Sequence, residues 1–272
     1  MSKLVILLAL IGLALGTPIN KSKHVENTPE NLALINSGNY NENIELLSGQ
    51  YQGDMVLSEQ QQRVLKSMER TGLIDINMRW PNNVVPYVLS DVFSDEQKSY
   101  IEAGLAELAR VSCLTFTPRT DEVNYVRVNG QDGGCWSEVG FLNSGEQEVN
   151  LALAEPGVGC FRIGTIIHEF LHTLGFYHMQ SATERDDYVK IAWENILPGL
   201  EHNFDAYPAD MISNFGVDYD VLSVMHYPAY GFTRNGYATI IPHDITLIRT
   251  MGQRTGMSDK DISRLNSMYQ CN

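Results

Sequence analysis

The chain has 272 residues, 43% of them hydrophobic, enough for one globular enzyme-sized domain preceded by processing segments. Nineteen Lys and Arg stand against 33 Asp and Glu, a net charge of −14 that argues against nucleic acid or an anionic membrane as partner.

From the amino terminus, residues 4–15 are an unbroken apolar run between Lys3 and Gly16, with Ala14 two positions before that glycine. A basic start, a short apolar stretch and a small-residue cleavage site make residues 1–16 a signal peptide, too short for a membrane span, so export is expected. No later stretch approaches transmembrane length, and the mature protein is expected to be soluble and monomeric. Residues 17–47 are rich in Asn, Ser and Glu with few aromatics, which reads as a weakly folded pro-segment extending to residue 70. Within its continuation, Tyr51-Gln52-Gly53-Asp54-Met55 read bare is a turn. Arg70-Thr71, a basic residue before a small polar one, suggests cleavage by a trypsin-like protease that would release residues 71–272.

Val84–Leu89 reads as a strand. Ser94-Asp95-Glu96-Gln97 carries a capping box and opens a helix that should run to about Arg110. Strands are expected at 114–116, 125–128 and 149–153, and a helix at about 162–174. After Gly175 the many Gly, Pro, Asn and Asp residues predict an irregular lower half, closed by a helix near 258–269. The fold class expected is α+β with a deep cleft. Cys113, Cys135, Cys160 and Cys271 in an exported chain imply two disulfides, and spacing does not choose among the three connectivities.

The segment from His168 to His178 reads His-Glu-Phe-Leu-His-Thr-Leu-Gly-Phe-Tyr-His. On a helix, His168 and His172 share a face, so both rings can reach one metal ion. Glu169 is one step round from them, where a carboxylate beside a zinc ion but not bound to it can take a proton from water that the metal has acidified. Gly175 is the residue type that leaves a helix with positive φ, and the chain can then deliver His178 as a third ligand. Three protein ligands leave the fourth position for water, as in catalytic rather than structural zinc sites. One Zn2+ per subunit is expected.

Four stretches extend this pattern: Arg79-Trp80-Pro81-Asn82-Asn83-Val84-Val85-Pro86-Tyr87, Gly134-Cys135-Trp136-Ser137-Glu138-Val139-Gly140, the zinc motif itself, and Ser223-Val224-Met225-His226-Tyr227. Together they resemble the astacin family of metzincin endopeptidases across nearly the whole chain after the leader. The resemblance implies a zincin-like catalytic domain of two subdomains over residues 71–272, with a twisted mixed sheet and an active-site helix. It implies a secreted zinc endopeptidase made as a zymogen, acting on protein or peptide substrates laid against the strand near 135–140. Met225 would be an apolar floor beneath the metal, Tyr227 a switchable extra ligand that moves to the oxyanion, and His226 a structural residue. Cys113 would pair with Cys271 and Cys135 with Cys160. Asp54 would be the aspartate switch that occupies the open zinc position in the zymogen, Tyr51 standing where the usual residue is Phe.

Many members favour an acidic side chain after the cleaved bond, and Arg234, Arg249 and Arg254 are the candidates here to receive it. Relatives often carry further modules after the catalytic domain; none is expected here. One departure is Met179 where typical relatives have Glu, which would leave a buried mature amino terminus without its family partner. His24, His202 and His243 lie outside any ligand spacing and read as surface or hydrogen-bonded residues, and Trp136 reads as packing. A silent secreted zinc-binding interaction protein is the alternative, and the presence of Glu169, which metal binding alone does not require, speaks against it.

Overall fold

The computed structural model describes residues 44–67, 78–209 and 212–271. The leader, His24 and the Arg70-Thr71 cleavage point lie outside the described residues. Six strands form the main sheet: β1 (Met55–Val56), β2 (Val84–Leu89), β3 (Thr115–Pro118), β4 (Tyr125–Asn129), β5 (Cys135–Glu138) and β6 (Glu146–Leu151). Their order is β1-β5-β6-β4-β2-β3, and every neighbouring pair is parallel except β5 with β6. Four helices accompany it: α1 (Glu59–Ser67), α2 (Asp95–Arg110), α3 (Ile163–Thr173) and α4 (Asp259–Tyr269).

The upper core is where these elements meet. Val126, Val128, Val149 and Leu151 of the central strands pack with Ile101, Leu105 and Leu108 of α2 and with Ile166, Ile167 and Phe170 of α3. The α2 start is the capping box read from sequence, with Ser94 Oγ accepting from Gln97 N and the Gln97 side chain accepting from Ser94 N. Gly104 lets α2 approach α3, since a Cβ there would stand 2.6 Å from Ile166 Cγ2.

Beyond Gly175 the described residues form short 3-10 turns, α4 and one two-stranded sheet of β7 (Val189–Ile191) with β8 (Ile240–Pro242). Phe204, Tyr219, Tyr227, Ile240, Ile248 and Met251 make a second core there. The fold is thus the expected α+β one in two parts. Cys113 is bonded to Cys271 and Cys135 to Cys160. The first bond ties the chain after α4 to the turn between α2 and β3; the second ties β5 to the turn before α3.

Several boundaries differ from the sequence reading: the strand expected at 149–153 runs Glu146–Leu151, and the one expected at 114–116 runs Thr115–Pro118. Leu114 stays out of β3 because its N–H is taken by Ser112 Oγ at 3.2 Å. Residues 44–47, expected to be weakly folded, form a 3-10 turn (Ile44–Leu47) in which Glu45 is 1% exposed. Its carboxylate accepts from Arg254 Nε at 2.9 Å and Thr165 Oγ1 at 2.8 Å, partners more than a hundred residues away that local composition does not reveal.

Gly164, near the start of α3, has no room for a side chain, because a Cβ would lie 2.1 Å from the backbone oxygen of Arg254. Backbone has to move to admit it. Gly164→Ala should therefore lower stability by roughly 1–3 kcal/mol despite alanine's better helix propensity, read as a drop in the denaturant midpoint at unchanged slope.

Candidate active site

Helix α3 supplies the first two histidines, and from Gly164 to Thr173 every residue of it is buried. His168 and His172, one turn apart, have ring centroids 4.8 Å apart. The helix ends in a left-handed turn with Gly175 at φ 101°. Gly175 N donates to the His172 carbonyl at 2.8 Å and Phe176 N to the Leu171 carbonyl at 2.9 Å, the paired bonds of a Schellman motif. The reversal brings His178 back with its ring 5.3 Å from His168 and 4.7 Å from His172.

Each imidazole is oriented from behind. His168 Nδ1 faces the Val224 carbonyl at 2.8 Å, His172 Nδ1 the Phe176 carbonyl at 2.8 Å, and His178 Nδ1 the Gln52 Oε1 at 3.1 Å. An oxygen acceptor at Nδ1 fixes the proton there and leaves a lone pair on Nε2. Burial pushes the His178 pKa down to about 3, keeping that ring neutral.

The three Nε2 atoms converge on the carboxylate of Asp54, which lies 3.1 Å from His168, 3.4 Å from His172 and 3.1 Å from His178. All four residues are buried, and their ligand atoms lie within 4.8 Å of one another. A tetrahedron with metal–ligand arms of about 2.0–2.1 Å has edges of roughly 3.3–3.4 Å, close to these separations. Asp54 Oδ1 and His172 Nε2 have no hydrogen-bond partner, and His178 Nε2 stands 3.4 Å from His168 Nε2. Lone pairs so arranged suit a cation held among them, and the three-nitrogen, one-oxygen donor set suits zinc.

A sequence model of the peptidase family described as Astacin matches residues 72–270. The chain belongs to the astacin family. It is 39% identical over 238 residues to Blastula protease 10 of Paracentrotus lividus, covering 81% of this chain and 38% of that one. It is also 39% identical over 209 residues to Meprin A subunit beta of Homo sapiens, covering 77% of this chain and 29% of that one. The chain thus spans well under half the length of these relatives. Among solved structures, High choriolytic enzyme 1, a hatching-enzyme zinc protease of Oryzias latipes, superposes with a TM-score of 0.64 at 36% identity, over 71% of this chain and 94% of that one. Astacin-family enzymes are zinc enzymes, in keeping with the donor set here.

The other residues singled out from the astacin pattern have definite places. Glu169 is fully buried with neither carboxylate oxygen hydrogen-bonded. Burial above all, and then the charges of Asp54 and Glu45, hold its carboxyl well above the usual range. Tyr227 is buried with its ring 4.8 Å from that of His178, and its hydroxyl donates to the Gln52 carbonyl. Met225 is 2% exposed in the upper core, and its carbonyl accepts from Met179 N at 2.9 Å. Met179 lines a cavity of about 390 Å³ with Arg79, Glu184 and Arg264. His243 hydrogen-bonds the Asp187 carbonyl, and His202 is exposed.

Asp261 escaped the sequence reading. It caps α4 by accepting from Ser258 N, and it also accepts from Ser223 Oγ at 2.5 Å and Val224 N at 2.8 Å. Since the Val224 carbonyl orients His168, α4 props the first histidine through one residue, Val224. The only trace in sequence is the Ser258-to-Asp261 capping spacing. Glu45 and Gln52 were missed as well, for want of any local signal.

His226 is buried between the Tyr219 hydroxyl, 2.6 Å from Nε2, and the Tyr227 carbonyl, 2.7 Å from Nδ1. Burial lowers its pKa from 6.5 to about 4. The unfolded chain therefore binds a proton that the folded chain does not between those values, and stability falls as pH drops through that window. Denaturant unfolding across pH 4–7 should show His226→Gln flattening this dependence by up to one proton per chain.

Proposed function

We propose that this chain is an exported zinc endopeptidase held latent by its own pro-segment. In this reading residues 1–16 are the leader, 17–70 the pro-segment and 71–272 the catalytic domain, freed by a trypsin-like cut at Arg70-Thr71. The observation that carries it is the seating of Asp54 at the point where His168, His172 and His178 converge, beside a buried Glu169. Zinc held by the three histidines would supply Lewis acidity to water and to the scissile carbonyl.

The chain's own groups do the rest. Glu169 accepts a proton on its carboxylate and returns it to the leaving amine. Tyr227, released from the Gln52 carbonyl, offers its hydroxyl to the oxyanion. β1 pairs with the edge of β5, and Ser137 N donates to the Asp54 carbonyl at 2.9 Å. Departure of the pro-segment uncovers that edge for an extended substrate, bound by backbone hydrogen bonds. The same departure takes Asp54 from the histidines and Glu45 from Arg254.

The uncut chain should not degrade casein, activity should appear after limited trypsin cleavage, and a chelator should abolish it. Glu169→Gln should keep the metal and lose roughly a hundredfold or more in kcat. Near wild-type turnover by zinc-loaded Glu169→Gln would overturn the assignment, and full activity before cleavage would overturn latency.

Arg254 is the best of the three arginines for receiving an acidic substrate side chain. Arg234 and Arg249 are exposed, whereas Arg254 is buried and already holds the Glu45 carboxylate. Glu45 is thus a stand-in for such a side chain. In the activated enzyme, Arg254→Leu should cut kcat/KM about tenfold to a hundredfold for peptides with Asp or Glu after the cleaved bond, the scale of one charged hydrogen bond, with little change for alanine there. Equal losses on both peptides would assign Arg254 a purely structural role.

A further inference from the structure

The acceptors behind the three histidines have different origins. Those of His168 and His172 are the Val224 and Phe176 carbonyls, fixed in the catalytic domain. That of His178 is the Gln52 side chain, which belongs to the pro-segment. We infer that Gln52 is a positioning residue for His178, through which the pro-segment strengthens zinc binding at the site it blocks; this rests on the zinc-peptidase reading above.

The placement of Gln52 is specific. The residue is fully buried and adopts a φ of 48°, a left-handed conformation that non-glycine residues keep where their surroundings hold them in it. It has three partners. Its Nε2 donates to Ser181 Oγ at 3.0 Å, its Oε1 faces His178 Nδ1 at 3.1 Å, and its carbonyl accepts from the Tyr227 hydroxyl. Ser181 is itself fully buried, so the amide has a defined seat on both sides.

The orientation of the amide follows from chemistry. Reversed, it would present an N–H to His178 Nδ1 and drive the ring proton onto Nε2, which faces Asp54 and the other histidines; a protonated Nε2 does not ligate a metal. With Oε1 toward Nδ1, the ring keeps its Nε2 lone pair inward and its plane fixed. Acceptors of this kind typically change metal affinity tenfold to a hundredfold when removed. A single residue therefore orients the third histidine and holds Tyr227 aside, and both effects leave with the pro-segment.

The test uses the uncut full-length chain, titrated with zinc(II) in competition with a chromophoric chelator. Gln52→Leu keeps the bulk and loses the amide, and should bind zinc about tenfold to a hundredfold more weakly than wild type. Gln52→Glu restores an acceptor at the same place and can only accept, so it should bind at least as tightly as wild type. Thermal midpoints of the metal-free proteins separate ligand positioning from folding: both variants should fall somewhat below wild type, and only Gln52→Leu should lose zinc affinity. Equal zinc affinity for Gln52→Leu and wild type would overturn the inference while leaving the site intact. Weakening in both variants together with a lowered metal-free midpoint would overturn it in favour of a packing role. A wild-type chain that binds no zinc would overturn both this inference and the reading on which it rests.

Discussion

Three imidazoles aiming lone pairs at one buried point repel one another, and much of the surrounding fold answers that constraint. Each ring is restrained at Nδ1 by an oxygen, and each of those oxygens is fixed by a different element. The Phe176 carbonyl comes from the turn that ends α3, the Val224 carbonyl from a loop that α4 holds through Asp261, and the Gln52 amide from the strap formed by residues 44–67, which carries β1 and α1. A helix end, the helix α4 and the segment that carries Gln52 thus meet at a centre that none of them could build alone. The cost of burying such polar groups is offset when a cation or a hydrogen-bond donor compensates them.

The strap is anchored by three kinds of contact. Its strand β1 lies on the edge of β5, Asp54 faces the three histidines, and Glu45 fills the arginine seat at Arg254. In the proposed reading, the backbone, metal and specificity positions would each be taken by one feature of the strap. Because β1 lasts only two residues, its backbone pairing is slight, and buried polar side chains carry the docking. Gln61 adds another such contact, donating to the Val139 carbonyl at 2.9 Å.

The two halves of the catalytic domain use different means of order. The upper half has regular strands and helices, so hydrophobic period and helix caps specify it. The lower half has little regular structure among its described residues and depends on side-chain ties: Arg185 reaches the Gln180 and Phe204 carbonyls, and Lys260 the Tyr219 carbonyl. Such ties satisfy backbone groups that no helix or sheet ladder can reach.

What the sequence determined by itself follows from local physics. The spacing of His168, His172 and His178, the glycine at 175 and the cap at Ser94 each act over a turn or two of chain, so periodicity and residue type suffice to read them. The cysteine pairing seen in the structure, and the roles expected of Met225, Tyr227 and Asp54, came only through resemblance to a family. Neither route reaches Glu45, Gln52 or Asp261. Their partners lie 209, 126 and 37 residues away, and a buried Glu, Gln or Asp has the same local signature as an exposed one until the fold brings Arg254, His178 and Val224 against it. Tertiary structure decided those contacts because the desolvation that makes them matter exists only once the chain has closed over them.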